Sequence, residues 1–164
     1  MNSYLIIKFL HILAVTITIG GMFARQLVRG IAKKSDDVKT IASLTQVAIR
    51  MDRGMVIPGS NIMTILGIIL AVMQKWPIFG FLQGATQNWL LVSNILLISM
   101  IVLIATMFVP YNKRLESILK IALSEGHVTP ELNAVIHDKK NNLAHHAEEI
   151  IILVIAALMV LKPF

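Results

Sequence analysis

The chain has 164 residues, 56% hydrophobic and 15% charged, with a formal net charge of +6 and a mean hydropathy of +0.75. A soluble domain is nearer half apolar and a quarter charged, so these values exclude a water-exposed globule, a disordered chain, collagen and a soluble coiled coil. With Cys at 0, disulfides, thiolate metal sites and covalent c-type haem attachment are excluded as well.

The first apolar run, Tyr4 to Phe23, is long enough to cross a bilayer, which takes about 20 apolar residues. It has no basic n-region, carries Lys8 inside it and shows no small-x-small site before Arg25. It is therefore expected to persist as a helix over about 4–24 rather than be cleaved as a signal peptide. Ser35-Asp36-Asp37 supplies an N-cap and an acidic first turn. No breaker follows until Gly54, where the uncharged run to Met73 begins, so a second helix is predicted over 36–73. The segment 74–88 carries Trp76, Phe79 and Phe81 with Pro77, Gly80 and Gly84, and Trp89 follows it. That composition is a turn in the aromatic belt of a membrane interface.

The third run, Trp89 to Pro110, is again uncharged. A kink is expected at Pro110, continuation through KRLESILKIAL to Ser124, and a C-cap at Gly126, giving a helix over 89–124. Thr129-Pro130 is an N-cap followed by proline at the first helical position and opens a fourth helix over 130–161. The fold class is all-α: a polytopic membrane protein, one four-transmembrane-helix bundle over 1–164 with cytoplasmic helical extensions. Strands are excluded because open sheet edges do not cross lipid and a barrel would alternate in short segments.

Lys and Arg are unevenly placed. Arg25, Arg29, Lys33, Lys34, Lys39, Arg50 and Arg53 fall between the first two runs, and Lys113, Arg114, Lys120, Lys139 and Lys140 between the last two. The 74–88 segment has only Lys75, and the C-terminus only Lys162. Basic loops stay cytoplasmic, so a multi-pass protein of the inner (plasma) membrane is expected, with both termini outside. The same placement accounts for the net charge without nucleic acid. The bilayer is the expected partner, with a homo-oligomer or a larger membrane complex beside it.

Polar residues inside lipid are costly, so they mark the sites worth weighing. In the fourth helix the apolar run reaches back from Leu161 only to Ile150, about 18 Å of a hydrocarbon core about 30 Å thick. Glu149, Glu148, His146 and His145 then lie within or at the edge of the core. His145 stands three residues before Glu148 and four before Glu149, and His137 and Asn141 extend the stripe. Such imidazole and carboxylate spacing suits copper or another divalent metal, or a proton relay. Ion pairs of Glu148 and Glu149 with Arg25 and Arg53 satisfy the same residues.

His11 lies about 10 Å inside the first run. It is either hydrogen-bonded to a neighbouring helix, through Asn94 or a serine, or an axial haem ligand. Ala14, Thr18 and Arg25 share its face, small residues there leave room for a macrocycle, and Gly20-Gly21 admits a close neighbour. His146 lies about 24 Å from the outer face, so one iron cannot take both ends. Thioether sulfur suits Cu(I), but the nine Met residues form no M-x-x-M or M-x-x-x-M pair within the spanning runs. G-x-S-x-G, H-E-x-x-H, P-loop and Rossmann fingerprints are absent, so the expectation leans away from an enzyme and leaves the question open.

LIIKFLHILAV…IGG, IPGSNIMTILGIIL, NWLLVSNILL and LMVLKPF together resemble a family of small bacterial four-helix membrane proteins described as predicted integral membrane proteins of unknown function. The same skeleton distantly resembles the haem-b membrane protoporphyrinogen oxidase (HemJ type) and the copper-resistance D-type membrane domain. The oxidase resemblance implies haem b, with His11 at the position of the helix-one ligand. That family's helix-three Lys falls at Ser93, its helix-one Trp falls near Thr18, and its Pro-Arg after helix one has no counterpart. The resulting expectation is a haem-binding or redox-associated membrane protein with cofactor residues His11, Asn94 and Arg25. The alternatives are a metal-ion or small-solute handling protein using His145, His146, Glu148 and Glu149, or a non-catalytic accessory subunit.

Overall fold

The structure is a computed structural model that describes residues 2–163. Among them it is all-helical, and four helical rods are long and apolar enough to cross a membrane: Ser3–Ala32, Val38–Met73, Trp89–Glu125 and Pro130–Leu161.

The first rod is α1, Ser3–Ala32, capped by the Asn2 side chain on the Tyr4 N–H. It runs past the expected end near 24 because residues 25–32 contain no proline and Arg25 and Arg29 find buried partners. The second rod is α2, Val38–Met51, and α3, Ile57–Met73, joined by one π-helical turn, Asp52–Val56. It begins at Val38 rather than 36, since Asp37 is the residue whose carboxylate accepts from the Lys39 and Thr40 N–H groups. The hydroxyl and N–H of Thr40 hold the Asp37 carboxyl below its ordinary range.

The third rod is α4, Trp89–Leu103, and α5, Val109–Glu125, with a second π-helical turn at Ile104–Phe108 between them. Each π turn ends two residues before a proline, Pro58 or Pro110. Proline has no N–H and its ring meets the carbonyl four residues back, so the backbone takes up an extra residue there instead of a sharp break. The fourth rod divides into α6, Pro130–Ile136, and α7, Lys139–Leu161. The expected continuous 130–161 helix is interrupted because the Asp138 carboxylate accepts from the Lys140 and Asn141 N–H groups and starts a new helix.

At one end, Trp76 and Trp89 meet edge to face with centroids 5.2 Å apart, and the Lys162 ammonium sits 3.9 Å from the Trp76 ring centroid. Gly80, at φ +52°, and Gly84, at φ +73°, turn the connecting segment. A Cβ on Gly80 would also strike Asn88, whose Oδ1 accepts from the Phe81 N–H.

In the middle, α1 lies along α3, and a core of Ala14, Met22, Met63, Met100 and Ile152 joins them to α4 and α7. At the opposite, basic end, α2, α5 and α6 close a second core of Val38, Ile41, Leu115, Leu119, Leu132 and Val135. Around the middle, Phe9, Ile65, Ile98 and Val154 face outward. That surface is ordinary for helices whose solvent is lipid.

Candidate functional site

Where the bundle meets the basic end, α1, the first π turn and α7 bring five side chains into a closed ring. Arg25 Nη1 donates to Asp52 Oδ1 at 2.5 Å, and Arg25 Nη2 to Glu148 Oε2 at 2.5 Å. Arg29 pairs with Asp52 Oδ2 at 3.6 Å and donates to His145 Nε2. A guanidinium only donates. Nε2 therefore holds the lone pair of a neutral imidazole, and Nδ1 carries the hydrogen and donates to Glu148 Oε2 at 3.2 Å. Two cations thus face two carboxylates through a neutral histidine.

The ring is dry. Arg25 is 4% exposed, Glu148 2% and His145 3%. Phe108, the last residue of the second π turn, stacks on the His145 imidazole with centroids 4.2 Å apart and planes 14° from parallel. Both proline-linked π turns therefore contribute to the site, one through Asp52 and the other through Phe108. The Arg25 Nε has no hydrogen-bond partner among the described residues.

The four residues read as a metal set divide into two pairs. His145 and Glu148 point inward. His146 is exposed, and its Nδ1 lies 3.3 Å from Glu149 Oε2 on the outer side of α7. Consecutive helical residues differ by about 100° in direction, so the twin pairs cannot converge. No group of three or more His, Cys, Asp or Glu converges as a metal site among the described residues. Asn141 stays on the buried face with His145, but His137 ends α6, is exposed, and bonds its own Asn133 carbonyl. Arg53 is exposed and Asp52 is the π-turn residue that meets α1. Glu149 therefore has His146 beside it, and Arg25 takes Glu148 and Asp52.

His11 is half-buried on the α1–α3 seam, and its Nδ1 meets the Met63 carbonyl at 2.9 Å. A Cβ on Gly67 would lie 3.2 Å from the ring, and one on Gly59 would collide with Thr18. The space expected beside Ala14 and Thr18 is therefore filled by α3, whose glycines let the backbones approach. Gly21 likewise meets Met55 and Val56, whereas Gly20 faces open space. Asn94 is not a partner of His11: its side-chain N–H donates to the Ile78 carbonyl at 3.1 Å and fastens the connecting segment. Thr18, Ser93, Ser99 and Thr106 all donate to carbonyls of their own helices, which satisfies them locally.

Beside the ring, a cavity of about 30 Å³ opens between the bundle and the basic-end core. Arg29, Lys33, Tyr111, Asn141, Asn142 and His145 line it, and no acidic side chain does among the described residues. Lys33 donates to Asn142 Oδ1. Burial and the neighbouring Arg29 push its ammonium below the ordinary range. Asn141 is 6% exposed, and its Oδ1 has no partner among the described residues.

Sequence reasoning found Arg25, His145 and Glu148 and missed Arg29, Asp52, Phe108 and the cavity. Two signals were available: Arg25 and Arg29 are four apart on one face, and Asp52 and Phe108 each precede a proline within two turns. Residues 5–163 match a family model described as predicted integral membrane protein (DUF2269). The chain belongs to this family. It is an integral membrane protein, and its environment is a lipid bilayer. No curated protein and no solved structure matches it.

Proposed function

We propose that the chain is a non-enzymatic inner-membrane protein that takes a small polar solute into the cavity at its basic end. One observation carries the reading: Arg29 and His145 belong both to the buried ring and to the cavity wall. A ligand there touches the ionisable cluster directly, and ionisable residues at membrane depth are functional by default. The basic end faces the cytoplasm in this reading, by the excess of Lys and Arg there. Copper or another divalent metal is not the solute favoured, because the inward His145 and Glu148 are committed to arginines.

The chain has no Cys, so introduced thiols test access. Thr45→Cys and Asn112→Cys, both lining the cavity, should react with a small impermeant thiol reagent in inverted vesicles and stay unreacted in intact cells. Gln83→Cys should show the reverse. Failure of both cavity positions to react in any preparation removes the reading, and reversed labelling inverts the orientation.

A second reading rests on His11. Its Nδ1 is engaged by a backbone carbonyl, the support that metal-ligating histidines usually have, which leaves Nε2 free to bind haem iron. The resemblance to the oxidase family favours the same residue. A macrocycle does not fit in the closed α1–α3 seam, so haem b would lie on the lipid-facing side. Protein made with ample haem should then show a Soret band that His11→Ala abolishes. Absence of the band, or its survival in the variant, ends this reading.

A further inference from the structure

We infer that two copies of this chain associate side by side in the bilayer along the outward face of α3, with the Asn61 side chains of the two copies hydrogen-bonded to each other. Asn61 is exposed and stands twelve residues before Met73, the last residue of α3. That is about 18 Å from the outer end of the helix. The hydrocarbon core is about 30 Å thick, so the carboxamide lies inside it, and an Asn side chain is too short to reach either headgroup layer. Other polar residues on the outward faces have partners at hand. Thr16, Ser99 and Thr106 donate to carbonyls of their own helices, and His146 and Glu149 meet each other. The neighbouring Ser60 also folds back, onto the Ile57 carbonyl. The Asn61 carboxamide has no hydrogen-bond partner among the described residues, and lipid tails offer none.

The surface around Asn61 suits a second helix. Ile57, Asn61, Ile65, Ile68 and Val72 follow one another at steps of four, four, three and four residues, which keeps them on one stripe of α3. The four apolar members are between 53% and 63% exposed. The other side of α3 is already occupied: Gly59 lies against Thr18 of α1, and Met63 belongs to the core with Ala14 and Met22. A contact on the stripe therefore leaves the fold of each copy unchanged. β-Branched residues at heptad spacing with one asparagine among them form the seam of parallel coiled coils, where the asparagine sets register and the number of partners. Charge complementarity selects the occupant. A carboxamide carries a positive N–H edge and a negative carbonyl oxygen, so a second carboxamide turned through 180° matches it. Copies inserted in the same orientation hold Asn61 at the same depth, and a two-fold axis along the membrane normal brings like residue to like. Two hydrogen bonds then satisfy both side chains where water is absent.

Because the chain has no Cys, one introduced thiol reports on one face. Full-length Ile65→Cys and Ile68→Cys, oxidised with copper phenanthroline in the membranes of the expressing cells, should give disulfide-linked dimers of this chain. Phe9→Cys on α1 and Ile98→Cys on α4, whose parent residues are 63% and 60% exposed, should give far less. The strength of association is read by energy transfer between donor- and acceptor-labelled Gln83→Cys chains in phosphatidylethanolamine–phosphatidylglycerol vesicles, over a series of lipid dilutions. Asn61→Leu should raise the dissociation constant about tenfold, the scale of a hydrogen bond between membrane helices, and Asn61→Gln, which keeps the carboxamide, should recover most of the loss. A melting curve in detergent that is the same for all three chains separates lost association from lost fold. Equal cross-linking from α1, α3 and α4, no energy transfer at any dilution, or a dissociation constant that Asn61→Leu leaves unchanged overturns the inference. Cross-linking of the α3 cysteines to a different polypeptide in place of this chain overturns it as well and assigns the face to another membrane protein.

Discussion

The inner and outer faces of α7 carry the same two residue types at the same spacing. His145 and Glu148 sit among Arg25, Arg29 and Phe108. One residue along, His146 and Glu149 form a pair whose histidine side chain is 63% exposed. On the inner face each group has its partners chosen for it by three helices. On the outer face the pair has only itself and its surroundings. The same two residue types therefore join a fixed network on one side and form a half-exposed local contact on the other. What separates them is about 100° of helical rotation and the elements packed against it.

Breaking the inner pair should cost most. Glu148→Gln removes one of two carboxylates facing Arg25 and Arg29, and losing one partner of a buried ion pair costs roughly 3–5 kcal/mol. Denaturant unfolding in detergent should show it as a fall in midpoint, and a loss below about 1 kcal/mol would mean that water reaches the ring. Adding Arg25→Gln sharpens the point: the double variant should be less destabilised than the sum of the singles by roughly 0.5–3 kcal/mol, the range for groups in one network. Strict additivity would dissolve the ring into separate contacts.

His145→Ala is expected to cost about 1–3 kcal/mol, because Arg29 and Glu148 each lose a hydrogen-bond partner without water to replace it. His145→Gln, which can still accept and donate, should recover part of that loss. The outer face should register least. His146→Ala, at the exposed member of the pair, should change stability by no more than about 0.5 kcal/mol, as exposed pairs do. A loss as large as that of Glu148→Gln would mean that the outer face is covered by another protein rather than by lipid and water.

The helical architecture was legible because lipid is a harsh solvent: twenty apolar residues in a row and a basic excess at one end leave few alternatives. The caps were legible too. Thr129 accepts from the Leu132 N–H, and Gly126 ends α5 with φ +78°, since both depend on local chemistry alone. The break at Asp138 was less legible, because Asp also occurs inside helices and only the packing of α6 against α5 decides that a new helix starts there. The ring was half legible. Spacing put Arg25, His145 and Glu148 among the polar residues to be explained, and it could not say which way a π turn would rotate Asp52 past Arg53.

Composition and order along the chain thus determined that there are four membrane-crossing rods, which end is basic and which residues are too polar for lipid to leave unpartnered. These follow from solvation, which acts on each segment separately. Tertiary structure alone decided which polar residues meet. The extra residue ahead of Pro58 and of Pro110, the glycine seam that brings α3 against α1, and the rotation of α7 set those meetings, and each is a property of how helices pack rather than of any one helix.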